Sequence, residues 1–524
     1  MNNFITHIIN DDINNNSYKK IIVRFPPEPN GYLHLGHIKS IILNSTIAEM
    51  YHGEFNLRFD DTNPEKENLE YVEAIKKDSF WLVNNINNVF WTSDYFDSIY
   101  NCAIFLIKSN LAYVDDNDID TIRKLKGDFL NKGIESIYRS RTIEENLLLF
   151  EDMKNGKFKN GEKVLRAKID MIHTNLNMRD PVIYRIRHET HHHTGKKWCI
   201  YPLYDFAHPI SDGLEGISHS LCTTEFEDHK PLYNWIVFHC KSLLKSIPKQ
   251  IEFSKLEVEG ILLSKRKLLK IVENKIVTGW TDSKMPTISG LRNRGFTPEI
   301  LKNFILKCGF SKSNHTISKS ILDESVKEIL NPITPRTMSI IDPVEMVIEN
   351  YDEYFMNNEI ITVSNHPKNE SLGKRNITFS KNIFIERSDI KLNPDKDFWR
   401  IFKGNHVRLK NAYNVFIKDI ILDENNNIIK VLAEMDINSK NIKMSKHKTK
   451  VAIHWLSIFD SKEIKSIFYN NLFDEEGNIL DDSIVEKNIL IEKNLNDGHF
   501  EFERNGYFYV HNNLAHCLSF LKNY

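Results

Sequence analysis

Residues 21–61 constrain this chain more than any other segment. Residues 21–25 (IIVRF) are a short apolar run of the kind that forms a buried strand. A breaker-rich loop follows, Pro26-Pro27-Glu28-Pro29-Asn30-Gly31, which no helix or strand interior tolerates. His34-Leu35-Gly36-His37 comes next, then a helical stretch from about Ile38 to Tyr51, with Gly53 where a C-terminal cap glycine belongs. Residues 54–59 (EFNLRF) alternate like a second strand and end in Asp60-Asp61. Strand, helix, strand at this spacing is a βαβ unit and predicts a parallel sheet. Ligands of such sheets bind beyond the carboxyl ends of the strands, where the histidine tetrad and Asp60 both fall.

The tetrad has chemistry of its own. Helix N-terminal amides favour phosphate, and imidazoles there can donate to phosphate oxygens as charge builds. The glycine removes a side chain where a flat base must approach. Four such residues alone also describe two surface histidines at a turn, so their neighbourhood has to decide.

That neighbourhood is specific. Residues 25–37 (FPPEPNGYLHLGH) resemble, nearly letter for letter, the signature of the class I glutamyl- and glutaminyl-tRNA synthetases. The resemblance continues through residues 57–64 (LRFDDTNP), 165–171 (LRAKIDM), 178–182 (MRDPV), 198–202 (WCIYP), 285–292 (MPTISGLR), 407–413 (VRLKNAY) and 502–504 (FER). It covers essentially the whole chain in order, and the glutaminyl branch matches best. The fold it implies is α/β plus all-β. A Rossmann-type parallel-sheet catalytic domain (1–101 and 198–265) is interrupted by an acceptor-end-binding insertion (102–197). A helical subdomain (266–337) and two anticodon-binding β-barrels (338–524) follow. In the insertion the texture is of helical pieces and charged loops, such as residues 139–150 and 165–171. Residues 287–309 are helical in pattern, residues 408–434 read as a hairpin around Glu424–Asn427, and residues 500–511 alternate.

The activity implied is attachment of glutamine to tRNA(Gln), using ATP with Mg2+ as co-substrate. Glutaminyl-adenylate would form first, and the terminal adenosine 2′-hydroxyl of the tRNA would then attack it. By resemblance the nucleotide lies against Glu28, Pro29, Asn30, His34, Leu35, Gly36, His37, Ile38, Lys39, Ser40, Thr223, Lys255, Leu256, Leu263, Ser264 and Lys265. His34, His37 and Lys265 would stabilise the transition state. The second class signature, a Lys-Met-Ser-Lys-type loop, has two candidates. Lys443-Met444-Ser445-Lys446 is the closer literal match but lies deep in the β-rich region. Leu263-Ser264-Lys265-Arg266-Lys267 follows the segment that closes the nucleotide fold and is the one expected to act; its Leu keeps the apolar bulk of Met.

The amino-acid pocket separates glutamine from glutamate. A buried glutamate carboxylate needs a cationic partner; a carboxamide needs neutral donors and acceptors. By resemblance Asp60 pairs with the substrate ammonium and Tyr204 reaches the side-chain amide. Glutamyl relatives commonly carry Arg just before the Thr-Thr-Glu block, where this chain has Cys222. Gln250 stands at a position associated with ordering the glutaminyl pocket, and Asn30 points the same way. A glutamyl or non-discriminating enzyme is the nearest alternative, and a non-catalytic tRNA-binding paralogue a more distant one.

For tRNA, resemblance assigns Phe129, where Leu is common, to wedge the first base pair, and Asp228 to the acceptor-stem minor groove, where a carboxylate can accept from a guanine amino group. Arg336, Arg408, Lys410, Glu501 and Arg504 fall at anticodon-contacting positions. Lys410 loses the planar fork of the usual Arg, and Glu501 stands where Gln is usual. His188-Glu189-Thr190-His191-His192 spells the HExxH of zinc proteases. The Thr194-Gly195 that follows at once leaves no long helix, so it reads as a polar loop and no protein-bound metal is expected.

Composition sets the remaining bounds. The 524 residues are 41% hydrophobic and 27% charged, with formal net charge −2, an ordinary core-forming balance that conceals any local basic face. Six scattered cysteines without a CxxC pair argue against a disulfide framework. No apolar run approaches a membrane span, and the polar, Asn-rich N-terminus has no signal character. A cytoplasmic monomer is the expectation.

Overall fold

The computed structural model of the chain describes residues 2–65, 68–440, 447–470, 480 and 484–521. Helix α1 (Phe4–Asn14) starts on a capping box in which Asn3 accepts from the Ile5 and Thr6 amides. Then come β1 (Ile22–Phe25), α2 (Leu35–Met50), β2 (Glu54–Phe59), α3 (Leu69–Leu82) and β3 (Ile86–Trp91). The three strands are parallel in the order β1-β2-β3, with Ile22 opposite Glu54 and Phe59 opposite Trp91.

Gly53 has a different reason from the one its place in the sequence suggests. The left-handed residue after α2 is His52, at φ 50°. A Cβ on Gly53 would lie 2.1 Å from the Ile21 carbonyl oxygen, so the glycine is needed for close approach of two backbones.

The next elements are α4 (Phe96–Lys108), β4 (Ala112–Asp115), α5 (Ile119–Lys126), α6 (Ile143–Lys154), β5 (Val164–Ala167), β6 (Val182–Ile186) and β7 (Ile200–Pro202). Strands β4 to β7 make an antiparallel sheet in chain order. Residues 165–171 therefore begin as strand. The fully buried Arg166 in β5, paired with Asp115 at 2.8 Å, hides the strand's apolar character.

The chain then returns to the parallel layer through α7 (Tyr204–Glu215), β8 (His219–Thr223), α8 (Lys230–Cys240) and β9 (Lys249–Phe253). β8 pairs parallel with β9. It also runs beside β1: the Ser218 amide donates to the Ile22 carbonyl at 2.9 Å, and Arg24 Nη1 to the Leu221 carbonyl at 3.0 Å. The order is therefore 3-2-1-8-9. It reverses between β1 and β8, which is where an open α/β sheet places its ligand crevice.

Four helices follow, α9 (Lys265–Glu273), α10 (Ile288–Arg294), α11 (Pro298–Cys308) and α12 (Lys319–Leu330). Ile300, Phe304 and Val326 share one core with Ile38, Ile41 and Phe55 of the βαβ unit. Among the described residues the C-terminal part is two seven-stranded sheets and a separate hairpin, Glu359–Ser364 with Lys374–Phe379. In one sheet the edges are Arg336–Thr337 and Ser339–Ile341; in the other they are Ala452–Ile453 and Leu456–Ser457. Each pair of edges belongs to one short stretch of chain, so each sheet curls until its edges nearly meet, as a barrel does to remove exposed strand edges. The hairpin read around residues 424–427 joins Asn414–Leu422 to Ile428–Asp436, with an Asp423 turn closed by Asn427.

Candidate functional site

A cavity of about 1320 Å³ opens at the β1/β8 crossover. Chain geometry explains its lining. Parallel strands deliver their last residues to one edge, so Asp60 arrives from β2, and Cys222 and Thr223 from β8. Helices α2 and α7 start at the same edge and bring His34, Gly36, His37 and Tyr204. Of the other residues assigned to nucleotide, Glu28, Lys39, Ser40, Lys255, Leu256, Leu263 and Ser264 also line the cavity.

The two histidines are ordered by their own helix start. His34 Nδ1 accepts from the Gly36 amide at 3.1 Å, and His37 Nδ1 accepts from the His34 amide at 3.0 Å. Each ring therefore carries its proton on Nε2. The ring centroids are 3.9 Å apart. Burial and the nearby Lys265 charge push His34 down to about 4; burial, His34 and Lys265 push His37 well below its usual range. The pair stands as two neutral donors. Gly36 also keeps the His34 ring in place, since a Cβ there would lie 2.9 Å from His34 Cε1.

Behind Asp60 and Tyr204 lies a network that the sequence reading missed. Arg24 is fully buried, with Nε and Nη2 donating to Asp212 at 2.9 and 3.0 Å, and it lines the cavity. Arg58 donates to the same carboxylate at 2.7 Å and to Glu215 at 3.3 Å. His208 accepts from Arg24 at 2.7 Å and faces Arg58 at 2.9 Å, while the Tyr233 hydroxyl donates to Asp212 at 2.8 Å. Burial opposes charge on Asp212, but Arg24, His208 and Arg58 hold its carboxyl well below the usual range. Burial raises Glu215 to about 7. The two guanidiniums thus share the Asp212 carboxylate, with Glu215 as a second partner that is ionised only in part near neutrality. The signal in the sequence was an arginine inside the apolar run IVRF, because a charge in a buried strand requires a partner.

Above it, burial raises the Cys222 thiol to about 12 and the Tyr204 hydroxyl far above its usual value. Both are neutral in this pocket. Gln250 sits one layer back, its Nε2 donating to the Phe226 carbonyl at 3.2 Å and to Glu252 at 3.1 Å.

Other assigned residues are turned away from the cavity or tied at its wall. Leu35 and Ile38 point into the core, and Pro29 is buried. Lys39 donates to the Ser254 carbonyl and hydroxyl at 2.7 and 2.9 Å, and burial lowers it to about 8. Lys265, first residue of α9, donates to both the backbone carbonyl and the side-chain oxygen of Asn30. The rival loop, residues 443–446, lies outside the described residues.

The residues assigned to tRNA fall in two places. Phe129 is 86% exposed in the tight turn of residues 127–133, whose carbonyls at Asp128 and Asn131 accept from Arg179 at 3.0 and 2.8 Å. Asp228 is exposed, and its carbonyl accepts from Asn175 at 2.7 Å. In the β-rich part, Arg336 pairs with Glu501 at 2.9 Å, Lys410 with Glu503, and Arg504 with Asp389 at 2.6 Å. Arg408 donates to the Asn414 side chain at 3.1 Å and to the Ser439 and Ala412 carbonyls at 2.9 and 3.0 Å. None of these cations is merely solvated surface charge.

The HExxH spelling does not form a zincin helix. His188 is exposed and bonds the Phe158 carbonyl at 2.8 Å. Asp61, His191 and His192 do bring one donor atom each within 4.8 Å. His191 is a poor ligand, however. Its Nδ1 accepts from the His193 and Thr194 amides at 3.1 Å, and its Nε2 donates to the Asp61 carbonyl at 2.8 Å.

Comparison with known proteins matches residues 20–332 to the family described as tRNA synthetases class I (E and Q), catalytic domain. Residues 334–436 match the corresponding anti-codon binding domain. A glutamine–tRNA ligase of Clostridium kluyveri is 45% identical over 522 residues, covering 97% of this chain and 93% of that one. One from Clostridioides difficile is 50% identical over 455 residues, 87% of this chain and 81% of that one. A crystal structure of a glutamate tRNA ligase from Elizabethkingia meningosepticum in complex with its amino acid gives a TM-score of 0.45 at 18% identity, over 59% of this chain and 70% of that one.

Proposed function

The chain belongs to the class I tRNA synthetases of the glutamate and glutamine group, and we propose that its crossover cavity joins glutamine to tRNA with ATP. It is a ligase. The glutamine carboxylate attacks the α-phosphorus of ATP, giving glutaminyl-adenylate and pyrophosphate. The 2′-hydroxyl of the terminal adenosine of tRNA(Gln) then attacks the carbonyl and releases AMP. Magnesium accompanies the nucleotide as its counter-ion.

The observation that carries this reading is the meeting, in one cavity, of two neutral Nε2–H donors with Asp60 and the uncharged pair Tyr204 and Cys222. Neutral donors can follow phosphate charge as it develops. Asp60 offers a carboxylate to the substrate ammonium, and Tyr204 a hydroxyl to the carboxamide. Arg24 has its donors engaged by Asp212, the Leu221 carbonyl and His208, so it is not held free for a glutamate side chain. Gln250 orders the layer behind. Lys265 reaches the leaving phosphates by exchanging Asn30 for them. Glu28, Pro29, Asn30, Leu35, Gly36, Ile38, Lys39, Ser40, Thr223, Lys255, Leu256, Leu263 and Ser264 shape the nucleotide site, partly through backbone. Residues 102–197 hold the acceptor end through Phe129, with Asp228 beside them, and residues 338–524 hold the anticodon together with Arg336. The protein acts as a cytoplasmic monomer; no helix among the described residues is long and apolar enough to cross a membrane.

Charging of tRNA(Gln) with glutamine and with glutamate tests this. Glutamine alone should be attached, and Asp60→Ala should raise the KM for glutamine at least tenfold. Attachment of glutamate would refute the pocket reading, and binding without charging of either would refute the enzyme.

A further inference from the structure

The loop that spells HExxH is left over by the proposed chemistry, yet His191 is 1% exposed and bound on both sides. Its own hairpin locks the ring. The His191 and Gly195 backbones exchange hydrogen bonds at 3.0 and 2.9 Å, and the amides of His193 and Thr194 both point at Nδ1. Phe96 meets the ring edge-on at 5.6 Å and Tyr201 stacks on it at 5.9 Å. Two donors on Nδ1 leave Nε2 as the protonated nitrogen. That N–H meets the carbonyl of Asp61 at 2.8 Å.

Asp61 is the residue after Asp60, and it is held from the other side as well. Its carboxylate accepts from the Ser93 amide at 2.8 Å and from the Ser93 hydroxyl at 2.6 Å. Asp60 itself donates its amide to the Pro27 carbonyl at 2.9 Å. The end of β2 is therefore fixed by three separate elements: the loop before α2, the turn after β3, and the loop between β6 and β7. A carboxylate that must meet an ammonium gains from such fixation, because the backbone that carries it does no further ordering when substrate arrives.

We propose that His191 is a positioning residue for amino-acid binding, acting through the Asp61 carbonyl to hold the Asp60 carboxylate toward the cavity. This rests on the reading of Asp60 given above. It also gives the cluster of Asp61, His191 and His192 a role that requires no metal ion.

Two variants separate the tie from the fold. In His191→Asn, the amide oxygen falls near the place of Nδ1 and still accepts from the 193 and 194 amides, but residue 191 no longer supplies a donor to the Asp61 carbonyl. In His191→Gln, the amide nitrogen falls near the place of Nε2 and keeps that donor. The KM for glutamine should rise about tenfold in His191→Asn, the size of one lost hydrogen bond to an ordered group, with the KM for ATP and for tRNA within twofold of the parent. His191→Gln should lie within threefold of the parent in all three.

Asp60→Asn is the companion measurement. If it leaves the KM for glutamine unchanged, the reading of Asp60 is wrong. If it raises that KM while His191→Asn does not, the positioning role is wrong and the Asp60 reading stands. The double variant should be no worse than Asp60→Asn alone, since both act on one contact; additive losses, or equal rises in all three KM values, would overturn the proposal. So would a rise in the melting temperature of the nucleotide-free parent on adding zinc ions that is lost in His191→Asn, which would mark the cluster as a metal site.

Discussion

At the scale of single residues, the pocket works through neutrality kept beside charge. Cys222 presents a thiol held protonated by burial, while the guanidinium of Arg24, which also lines the cavity, is tied to Asp212, the Leu221 carbonyl and His208. Cys222→Arg would add a second, unmatched cation. It should cut kcat/KM for glutamine at least tenfold without raising activity toward glutamate to the parent's glutamine level; a clean exchange of substrate would show that residue 222 alone sets the choice. The histidines carry a pH signature. The folded value of His34, about 4, lies below its ordinary value of about 6.5. Stability that depends on the neutral ring is therefore complete above pH 6.5 and lost as pH falls from 6.5 toward 4. The stability gap between the parent and His34→Gln, read from urea midpoints, should narrow across that window; a gap independent of pH would contradict a buried neutral ring. The signature motif was plain in the sequence, but the tautomers were not, because they depend on which amides each Nδ1 meets once α2 has formed.

At the scale of elements, spacing was a good guide to what forms and a poorer guide to why. The βαβ unit follows from the alternation of residues 54–59 and the breakers before His34, and its helix starts at Leu35, a few residues earlier than periodicity suggests, because the two histidines cap it reciprocally. Gly53 is the instructive miss. Its position looked like a cap, yet what requires it is the carbonyl of Ile21, the residue before β1. Gly53→Ala should destabilise the protein by about 2 kcal/mol or more, read from denaturant midpoints, whereas a true left-handed cap would belong to His52. Strand β5 was missed for a related reason: Arg166 breaks its apolar pattern, and only the facing Asp115 makes that arginine a core residue.

At the scale of the whole molecule, the barrels are joined by charge. Lys410 and Arg504 reach across to Glu503 and Asp389, and Arg375 ties the separate hairpin to Glu492 at 2.7 Å. A polyanion that takes up these cations must displace their acids. Glu503→Gln frees Lys410, so the dependence of tRNA affinity on salt should steepen, by about 0.7 in log–log slope for one further cation on single-stranded RNA. An unchanged slope would place Lys410 outside the RNA interface. What this sequence determined by itself is the family and the order of its catalytic and anticodon-binding parts, because those are carried by contiguous motifs such as FPPEPNGYLHLGH and LRFDDTNP. Tertiary structure alone decided which charges are matched, which ring nitrogens carry protons and which loop holds Asp60. The physical reason is that Arg24 with Asp212, Lys265 with Asn30 and His191 with Asp61 are partners far apart in the chain, and no local pattern records a contact made only when the chain is folded.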